Sequence, residues 1–197
     1  MQSIAVVTGF LLGSIPFSQI LALRVGQLDL RISGYGNVGA YNVAHHLGTF
    51  WGILAGTLDA AKAWLALWTA HRLGVADPAL VAWAVILGHS YPPWLKFRGG
   101  KGLAPLIGIL LWFAPLATLS GVSLAWVILW WQPRRLNEAA AIGMLVVIVL
   151  IRGDAVYLQV VRVLLGFGLL LSIAYAPRFW RWLRSRACRS GCPAGPT

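Results

Sequence analysis

One 15-residue stretch holds most of the side chains that could do chemistry, and it runs from Gly88 to Gly102 with the sequence GHSYPPWLKFRGGKG. It contains one histidine, three cations and four glycines in a chain that is otherwise mostly apolar. Polar and charged groups are costly at a bilayer and mark functional sites there. We interpret His89, Lys101 and the Gly99–Gly102 turn as a site that captures phosphate. A basic loop that only sets membrane orientation would account for Lys101 but not for His89 or the glycines.

A second glycine-rich segment, residues 29–48, contains the pattern G-x-G-x-x-G at positions 34–39. A dinucleotide-binding fingerprint needs a preceding strand and a βαβ unit, and here the neighbouring segments are apolar helices. The Walker A pattern also fails in the first stretch, because Gly102 stands where Ser or Thr would bind magnesium. What remains is a backbone that can approach a ligand closely and offer N–H groups to an anion.

Two opposite charges lie inside a predicted membrane helix. Asp59 and Lys62 are three residues apart and therefore share one helix face. Each alone would cost about 2.5–3.5 kcal/mol in the membrane. The pair is either a mutually neutralising structural element or the wall of a polar cleft, and the sequence leaves both open. Arg162, in the last apolar run, is interpreted as snorkelling to the outer interface.

The whole chain is too apolar for a soluble domain of its length. Its 197 residues are 59% hydrophobic and 11% charged, with a mean hydropathy of +0.75. Continuous apolar runs without strict alternation predict an all-α integral membrane protein with about seven transmembrane helices. One transmembrane domain is expected over 1–176 and a basic tail over 177–197. The runs cover residues 4–23, 49–70, 79–95, 103–116, 117–131, 139–151 and 155–176.

Positive charge is unevenly divided between the two sides of the predicted membrane. With the N-terminus outside, twelve Lys and Arg residues fall on one side, and Arg72 and Arg152 fall on the other. Cytoplasmic loops carry such an excess, so we expect the C-terminus and the loops 24–48 and 89–102 in the cytoplasm. Topology thus explains the net charge of +11, and no nucleic-acid partner is expected.

Two prolines and two cysteines complete this view. Pro16 lies inside the first run and predicts a kink or a shortened helix, while Pro115 predicts a tight hairpin between two helices. Cys188 and Cys192 lie in the tail with no histidine nearby, so neither a zinc site nor a disulfide is expected.

Together these motifs resemble the bacterial acyl-phosphate:glycerol-3-phosphate acyltransferases, the PlsY family. The resemblance covers most of the chain. It is carried by the ordered segments Gly13-Ser14-Ile15-Pro16, Asp29-x-Arg31, Gly34-x-Gly36-Asn37-x-Gly39-Ala40-x-Asn42, Leu47-Gly48, Asp59-x-x-Lys62, Gly88-His89 through Pro92, and Phe97-Arg98-Gly99-Gly100-Lys101-Gly102.

The resemblance implies a seven-helix fold whose active site faces the cytoplasm of a bacterial inner membrane. It also implies transfer of a fatty acyl group from acyl phosphate to glycerol 3-phosphate, giving lysophosphatidate for phospholipid biosynthesis without metal or cofactor. The implied catalytic residues are His89, Lys101, Tyr35 and His45. The implied substrate-binding residues are Arg31, Gly34, Gly36, Asn37, Gly39, Asn42, Asp59, Lys62, Arg98, Gly99, Gly100 and Gly102.

The chain departs from the family pattern at three loop positions and near its end. Tyr35 stands where the family has Ser, Tyr41 where it has Thr, and His45 where it has Arg. Replacing an arginine fork by histidine at a phosphate costs about 1.5–3 kcal/mol, or about 10- to 150-fold in binding. The family's third motif is not recognisable in the segment 178–181.

Three functions are compatible with these observations. The leading hypothesis is the acyltransferase, acting by positioning and electrostatics, with His89 or a substrate phosphate accepting the hydroxyl proton. The alternative is a catalytically impaired relative that binds acyl phosphate or lipid in a regulatory role. A small anion carrier is disfavoured, because the polar residues lie on one side and no inverted repeat is found.

Overall fold

The structure is a computed structural model, and it describes residues 1–131, 143, 146–148, 150 and 155–170. All regular elements in these ranges are helical, as the apolar runs predict. They are α1 (Gln2–Ser14), α2 (Phe17–Gly26), α3 (Ala40–Leu47), α4 (Thr49–Arg72), α5 (Pro78–Ser90), a 3₁₀ turn (Pro93–Leu95), α6 (Leu103–Phe113), α7 (Pro115–Trp131) and α8 (Ala155–Leu170).

The chain forms two compact units, Met1–Val163 and Leu164–Thr197. The first contains α1 to α7 and every contact described below. In the second, the structure describes the end of α8. Three predicted parts of the chain lie outside the described residues. They are the segment 178–181, where the family's third motif was not recognisable, the basic tail with Cys188 and Cys192, and most of the run 139–151.

The two helix breaks predicted from proline are confirmed. α1 ends at Ser14 and α2 begins at Phe17, with Pro16 as its N-cap. Only Ala114 separates α6 from α7 at Pro115. The run 79–95 is corrected, since its helix ends at Ser90 because the residue before a proline disfavours helical geometry.

One helix was missed by the sequence, because residues 24–48 were expected to form a loop. α3 lies within that range, packs on α4 and has a strongly one-sided apolar face, with Val43 fully buried. By length and composition, Gln2–Gly26, which comprises α1, Pro16 and α2, is the one described helical segment long and apolar enough to cross a membrane. α6 and α8 are apolar but shorter than the about 20 residues that a crossing needs.

Small residues bring the helices together. A side chain on Gly88 of α5 would overlap the backbone of Phe10 and Ser14 in α1, and one on Gly108 of α6 would overlap Ala60 of α4. Close backbone approach of this kind is the way membrane helices associate, since they gain nothing from excluding water. The polar segments at the ends of α1, α5 and α6 are therefore held close to one another.

A small apolar core fixes the loop before α3. Leu30 and Val38, one at each end of this loop, are buried against Ala22, Ala55 and Leu95. Removing this surface from water contributes about 25 cal/mol per Å². The core fastens the loop to α2, α4 and the 3₁₀ turn, and so it positions the groups that the loop carries.

Candidate functional site

A cavity of about 360 Å³ opens between the first loop and the start of α6. Its volume lies in the lower part of the range of ligand pockets, suited to a small polar molecule. His89 and Lys101 line it together, as the sequence predicts for a shared site. The complete lining is Tyr35, Asn37, Gly39, Ala40, Tyr41, His89, Lys101, Gly102, Leu103 and Ala104.

The start of α6 forms one wall of this cavity. Gly102 has φ +81°, a left-handed conformation that glycine adopts without strain, and it turns the chain from the loop into the helix. The first turn of α6 has no side-chain cap. The N-terminal end of a helix carries about half a positive charge and favours anions. Lys101 and this helix end therefore make the wall electropositive.

The two glycines before Lys101 have a packing role that differs from the predicted phosphate cradle. The N–H of Gly99 donates to Ser90 O at 3.1 Å, and the N–H of Gly100 donates to His89 O at 3.2 Å. A side chain on Gly100 would overlap Nε2 of His89. These two amides are therefore already used, and their glycines let the loop pass directly against His89.

His89 is tied on its other side to the charged pair of α4. Nζ of Lys62 lies 3.1 Å from Nδ1 of His89 and 2.7 Å from Oδ1 of Asp59. The exposed fractions are 1% for Asp59, 3% for Lys62 and 7% for His89. Asp59 and Lys62 thus lie behind the cavity wall formed by His89 and are not among the residues that line this cavity.

The break between α1 and α2 completes this buried network. Lys62 donates to Ile15 O at 2.6 Å, a carbonyl at the end of α1, and Ser18 donates to Oδ2 of Asp59 at 2.9 Å. Nε1 of Trp94 donates to Oγ of Ser14 at 2.9 Å. The Gly-Ser-Ile-Pro segment therefore supplies polar partners to both α4 and the loop after α5.

The rim of the cavity carries an aromatic cluster, which we define as Tyr35, Tyr41, His45 and His46. The ring centroids of Tyr35 and Tyr41 are 5.2 Å apart, and those of Tyr35 and His45 are 5.3 Å apart in an edge-to-face arrangement. Rings at these distances attract one another. A hydrogen bond with the Tyr35 hydroxyl raises the pKa of Tyr41. Tyr35, Tyr41 and His45, the three departures from the family pattern, are thus one contiguous group.

Two of the predicted phosphate-binding arginines lie elsewhere. The Arg31 guanidinium binds Asp29 through Nε at 3.0 Å and Nη2 at 2.7 Å, and this hydrogen bonding lowers the pKa of Asp29. Neither Arg31 nor the exposed Arg98 is among the residues that line the cavity. Among the predicted cationic residues of the two loops, Lys101 is the one that lines the cavity.

Asn42 has a structural place in the first loop. Its side-chain N–H₂ group donates to Leu30 O, Ser33 O and Asn37 O at 2.9–3.2 Å, and its Oδ1 accepts from the N–H of Tyr35. Asn42 is fully buried. It therefore shapes the loop that presents Tyr35. Gly34, at φ +57°, packs against Asn42 and His46, and Gly36, at φ +65°, turns the same loop.

Several supporting residues were missed by sequence reasoning. Ser18 and Gln19 are buried polar residues of α2, and Gln19 accepts a hydrogen bond from the N–H of Leu30. The sequence signal that could have found them is that two adjacent polar residues lie inside the first apolar run. Arg162, expected to snorkel to the outer interface, pairs at 2.5 Å with Asp77, a residue of the loop between α4 and α5. No three His, Cys, Asp or Glu side chains of the described ranges converge as a metal site would require.

A family model described as glycerol-3-phosphate acyltransferase matches residues 3–185 of the chain. A curated glycerol-3-phosphate acyltransferase of Anaeromyxobacter dehalogenans (strain 2CP-C) is 43% identical over 126 residues, which cover 61% of this chain. The match spans 63% of that relative, less than two thirds of its length. One from Dechloromonas aromatica (strain RCB) is 39% identical over 143 residues, or 72% of each chain.

The fold is similar to that of a solved integral membrane protein. The crystal structure of PlsY (YgiH), an integral membrane glycerol 3-phosphate acyltransferase, in its glycerol 3-phosphate form has a TM-score of 0.75 to this chain. The two are 29% identical, and the match covers 94% of this chain and 93% of the other. A lysophosphatidic acid form matches with the same TM-score at 27% identity. The similarity supports a membrane location for this all-helical chain.

Proposed function

The chain belongs to the glycerol-3-phosphate acyltransferase family, and from this premise we propose that it transfers a fatty acyl group from acyl phosphate to glycerol 3-phosphate. The product is lysophosphatidate, a precursor of membrane phospholipids. The observation that carries the proposal is the single cavity that joins His89, Lys101 and the electropositive start of α6. Both substrates present a phosphate, and this wall is suited to bind one.

The reaction needs positioning and charge stabilisation more than a protein nucleophile. The acceptor hydroxyl oxygen forms a bond to the acyl carbon, the bond from that carbon to the phosphate oxygen breaks, and inorganic phosphate leaves. Negative charge develops on the carbonyl oxygen and on the leaving phosphate. Lys101 and the first N–H groups of α6 are placed to stabilise that charge, which is the largest contribution in many acyl transfers.

Tyr35 and Tyr41 of the aromatic cluster, together with Asn37 and Gly39, form the wall contributed by the first loop and the start of α3. Tyr35 and Tyr41 offer hydroxyl groups to a polar acceptor, and the helices below offer apolar surface to an acyl chain. His45 lies behind Tyr35. We infer that the cluster recognises the acceptor by hydrogen bonds and shape in place of a bidentate arginine.

The proposed topology places this cavity on the cytoplasmic side of the bacterial inner membrane, where both water-soluble and lipid substrates are accessible. The support is the uneven distribution of basic residues between the two sides. About seven crossings, an outside N-terminus, one transmembrane domain over 1–176 and a cytoplasmic tail over 177–197 are parts of the same proposal.

A direct assay tests the activity. The purified protein, reconstituted in vesicles, is supplied with palmitoyl phosphate and labelled glycerol 3-phosphate, and labelled lysophosphatidate is expected. An absence of product while palmitoyl phosphate still binds would favour the impaired relative instead. Palmitoyl-CoA in place of palmitoyl phosphate is the matched control and is expected to give no product.

A further inference from the structure

The ammonium of Lys62 is surrounded by three polar atoms of the protein. It donates to Ile15 O at 2.6 Å, forms an ion pair with Oδ1 of Asp59 at 2.7 Å and lies 3.1 Å from Nδ1 of His89. A lysine ammonium donates and never accepts. Lys62 is 3% exposed and is not among the residues that line the cavity, so its contacts are to the protein.

The contact with Lys62 decides where the proton of His89 lies. Because Lys62 can only donate, Nδ1 of His89 must accept, and an accepting ring nitrogen carries no proton. Oδ1 of Asp59 lies 3.6 Å from the same Nδ1, farther than the ammonium. A proton on Nδ1 would sit on a nitrogen that lies 3.1 Å from the ammonium, where the positive charge repels it. The neutral ring consequently carries its proton on Nε2.

The other edge of the ring faces the loop that builds the cavity. Nε2 lies against Gly100, next to Lys101, while His89 itself lines the cavity. The packing of Gly99 and Gly100 on the backbone of His89 holds the ring between the loop and α4. The ring therefore has one edge assigned to the buried pair and the other to the cavity wall.

We propose that Asp59 and Lys62 are positioning residues that fix His89 in its Nε2–H form, so that it acts as a hydrogen-bond donor at the cavity. Asp59 keeps Lys62 charged and oriented, and Lys62 occupies Nδ1. The role of this arrangement in catalysis rests on the proposed acyl transfer. There, Nε2–H would donate to the acyl carbonyl or a phosphate oxygen. Proton acceptance from the hydroxyl then falls to a substrate phosphate, the second of the two groups considered from the sequence.

The arrangement is tested first without any substrate, by nitrogen NMR of protein labelled with ¹⁵N-histidine in nanodiscs. The His89 signals are identified by their loss in His89→Gln. We expect an unprotonated Nδ1 and a protonated Nε2 at neutral pH. In Lys62→Met we expect the proton on Nδ1, where Asp59 becomes its acceptor. A proton on Nδ1 in the native protein, on both nitrogens, or a spectrum unchanged in Lys62→Met overturns the proposal.

Lys62→Arg keeps a charged donor and is expected to retain the native His89 signals. It also serves if Lys62→Met does not fold, because the native spectrum alone can contradict the proposal. Lys96→Met, which removes an exposed lysine of the same loop system, is the matched control and should leave His89 unchanged.

Turnover separates positioning from substrate binding. In Lys62→Met we expect kcat to fall about 100-fold, as on loss of one donor to a developing oxyanion. KM for glycerol 3-phosphate should stay nearly constant, because Lys62 does not touch substrate. A rise in KM with kcat unchanged would instead make Lys62 a direct ligand and overturn the assignment. Native NMR signals in a protein without any acyltransferase activity would sink the proposed function alone.

Discussion

At the scale of single residues, Lys101 and His89 contribute two different groups to one cavity: Lys101 contributes a positive charge, and His89 contributes a hydrogen-bond donor. Lys101 lies at the entrance to α6, where its charge adds to that of the helix end. His89 is buried and contributes a neutral donor whose direction is set by Lys62. A charged group is thus combined in one cavity with a neutral donor that is fixed in place.

Lys101→Ala tests the charged half of this pair. We expect activity to fall by about 100-fold or more, since a positioned cation stabilises charge that develops in the transition state. Membrane insertion and the melting temperature should be preserved because Lys101 is exposed. Lys96→Ala is the matched control, because it removes the same charge from the exposed surface of the preceding loop. Normal turnover in Lys101→Ala would remove the phosphate role of the loop.

Tyr41 offers a spectroscopic test of the aromatic cluster. Its pKa is raised by the hydrogen bond with Tyr35, so its phenol should ionise later than an ordinary tyrosine. The sign follows directly: this bond stabilises the fold fully below the ordinary value of about 10 and is lost as pH rises through the raised pKa. In an ultraviolet titration, Tyr35→Phe should bring one phenol back toward the ordinary value. A curve that differs only by the loss of one phenol, with the titration of the others unchanged, would show that the two hydroxyls are independent.

At the scale of elements, the sequence predicts helices well where apolar runs end at prolines. The broken first helix and the tight turn at Pro115 follow from the missing N–H and fixed φ of proline. α3 could not be predicted with equal ease, because its eight residues include only a few that are buried and its stability comes from packing on α4. Short helices depend on tertiary contacts that local pattern does not record.

In the candidate site too, some residues could be predicted from the sequence and others could not. His89 and Lys101 could be predicted because charged residues and histidine are rare in this apolar chain. The partners of Lys62 could not, because Ile15 O is a backbone carbonyl and Nδ1 of His89 comes from a helix 27 residues away. Likewise, the glycines before Lys101 predict close approach correctly, but the group approached is His89.

The α1–α5 contact gives an element-scale prediction. Gly88→Ala should destabilise the protein by about 1–3 kcal/mol, because the new methyl group overlaps the backbone of Phe10 and Ser14, which cannot move like a side chain. Activity should fall as well, since His89 is the next residue. Gly168→Ala is the control, as a methyl group there meets no atom within 4 Å. Thermal unfolding in detergent measures both, and equal melting temperatures would contradict the tight contact.

At the scale of the whole molecule, charge distribution and helix content describe a membrane protein whose chemistry lies at one end of its helices. The cavity is built from the first loop, the end of α5 and the start of α6, which are far apart in sequence. Small residues at helix contacts hold these ends in register. The protein is therefore expected to lose its proposed activity on helix separation before its helices unfold.

The topology prediction is tested by cysteine labelling in a variant with Cys188 and Cys192 replaced by serine. Ile32→Cys, on the first loop, should react with a membrane-impermeant maleimide only in permeabilised cells, because that loop is expected in the cytoplasm. Ala76→Cys, between α4 and α5, is exposed and should react in intact cells. Reversed labelling of the two positions would overturn the proposed orientation.

Tyr35 contacts both Tyr41 and His45, so the three departures from the family pattern should not be counted as three separate changes. Substitutions at residues that contact one another are not independent in their effects, so the three departures amount to one remodelled patch. Restoring serine at position 35 alone would remove the ring that contacts both Tyr41 and His45, whereas restoring all three residues together changes the patch as a unit. A triple exchange should therefore be better tolerated than the sum of the three single exchanges.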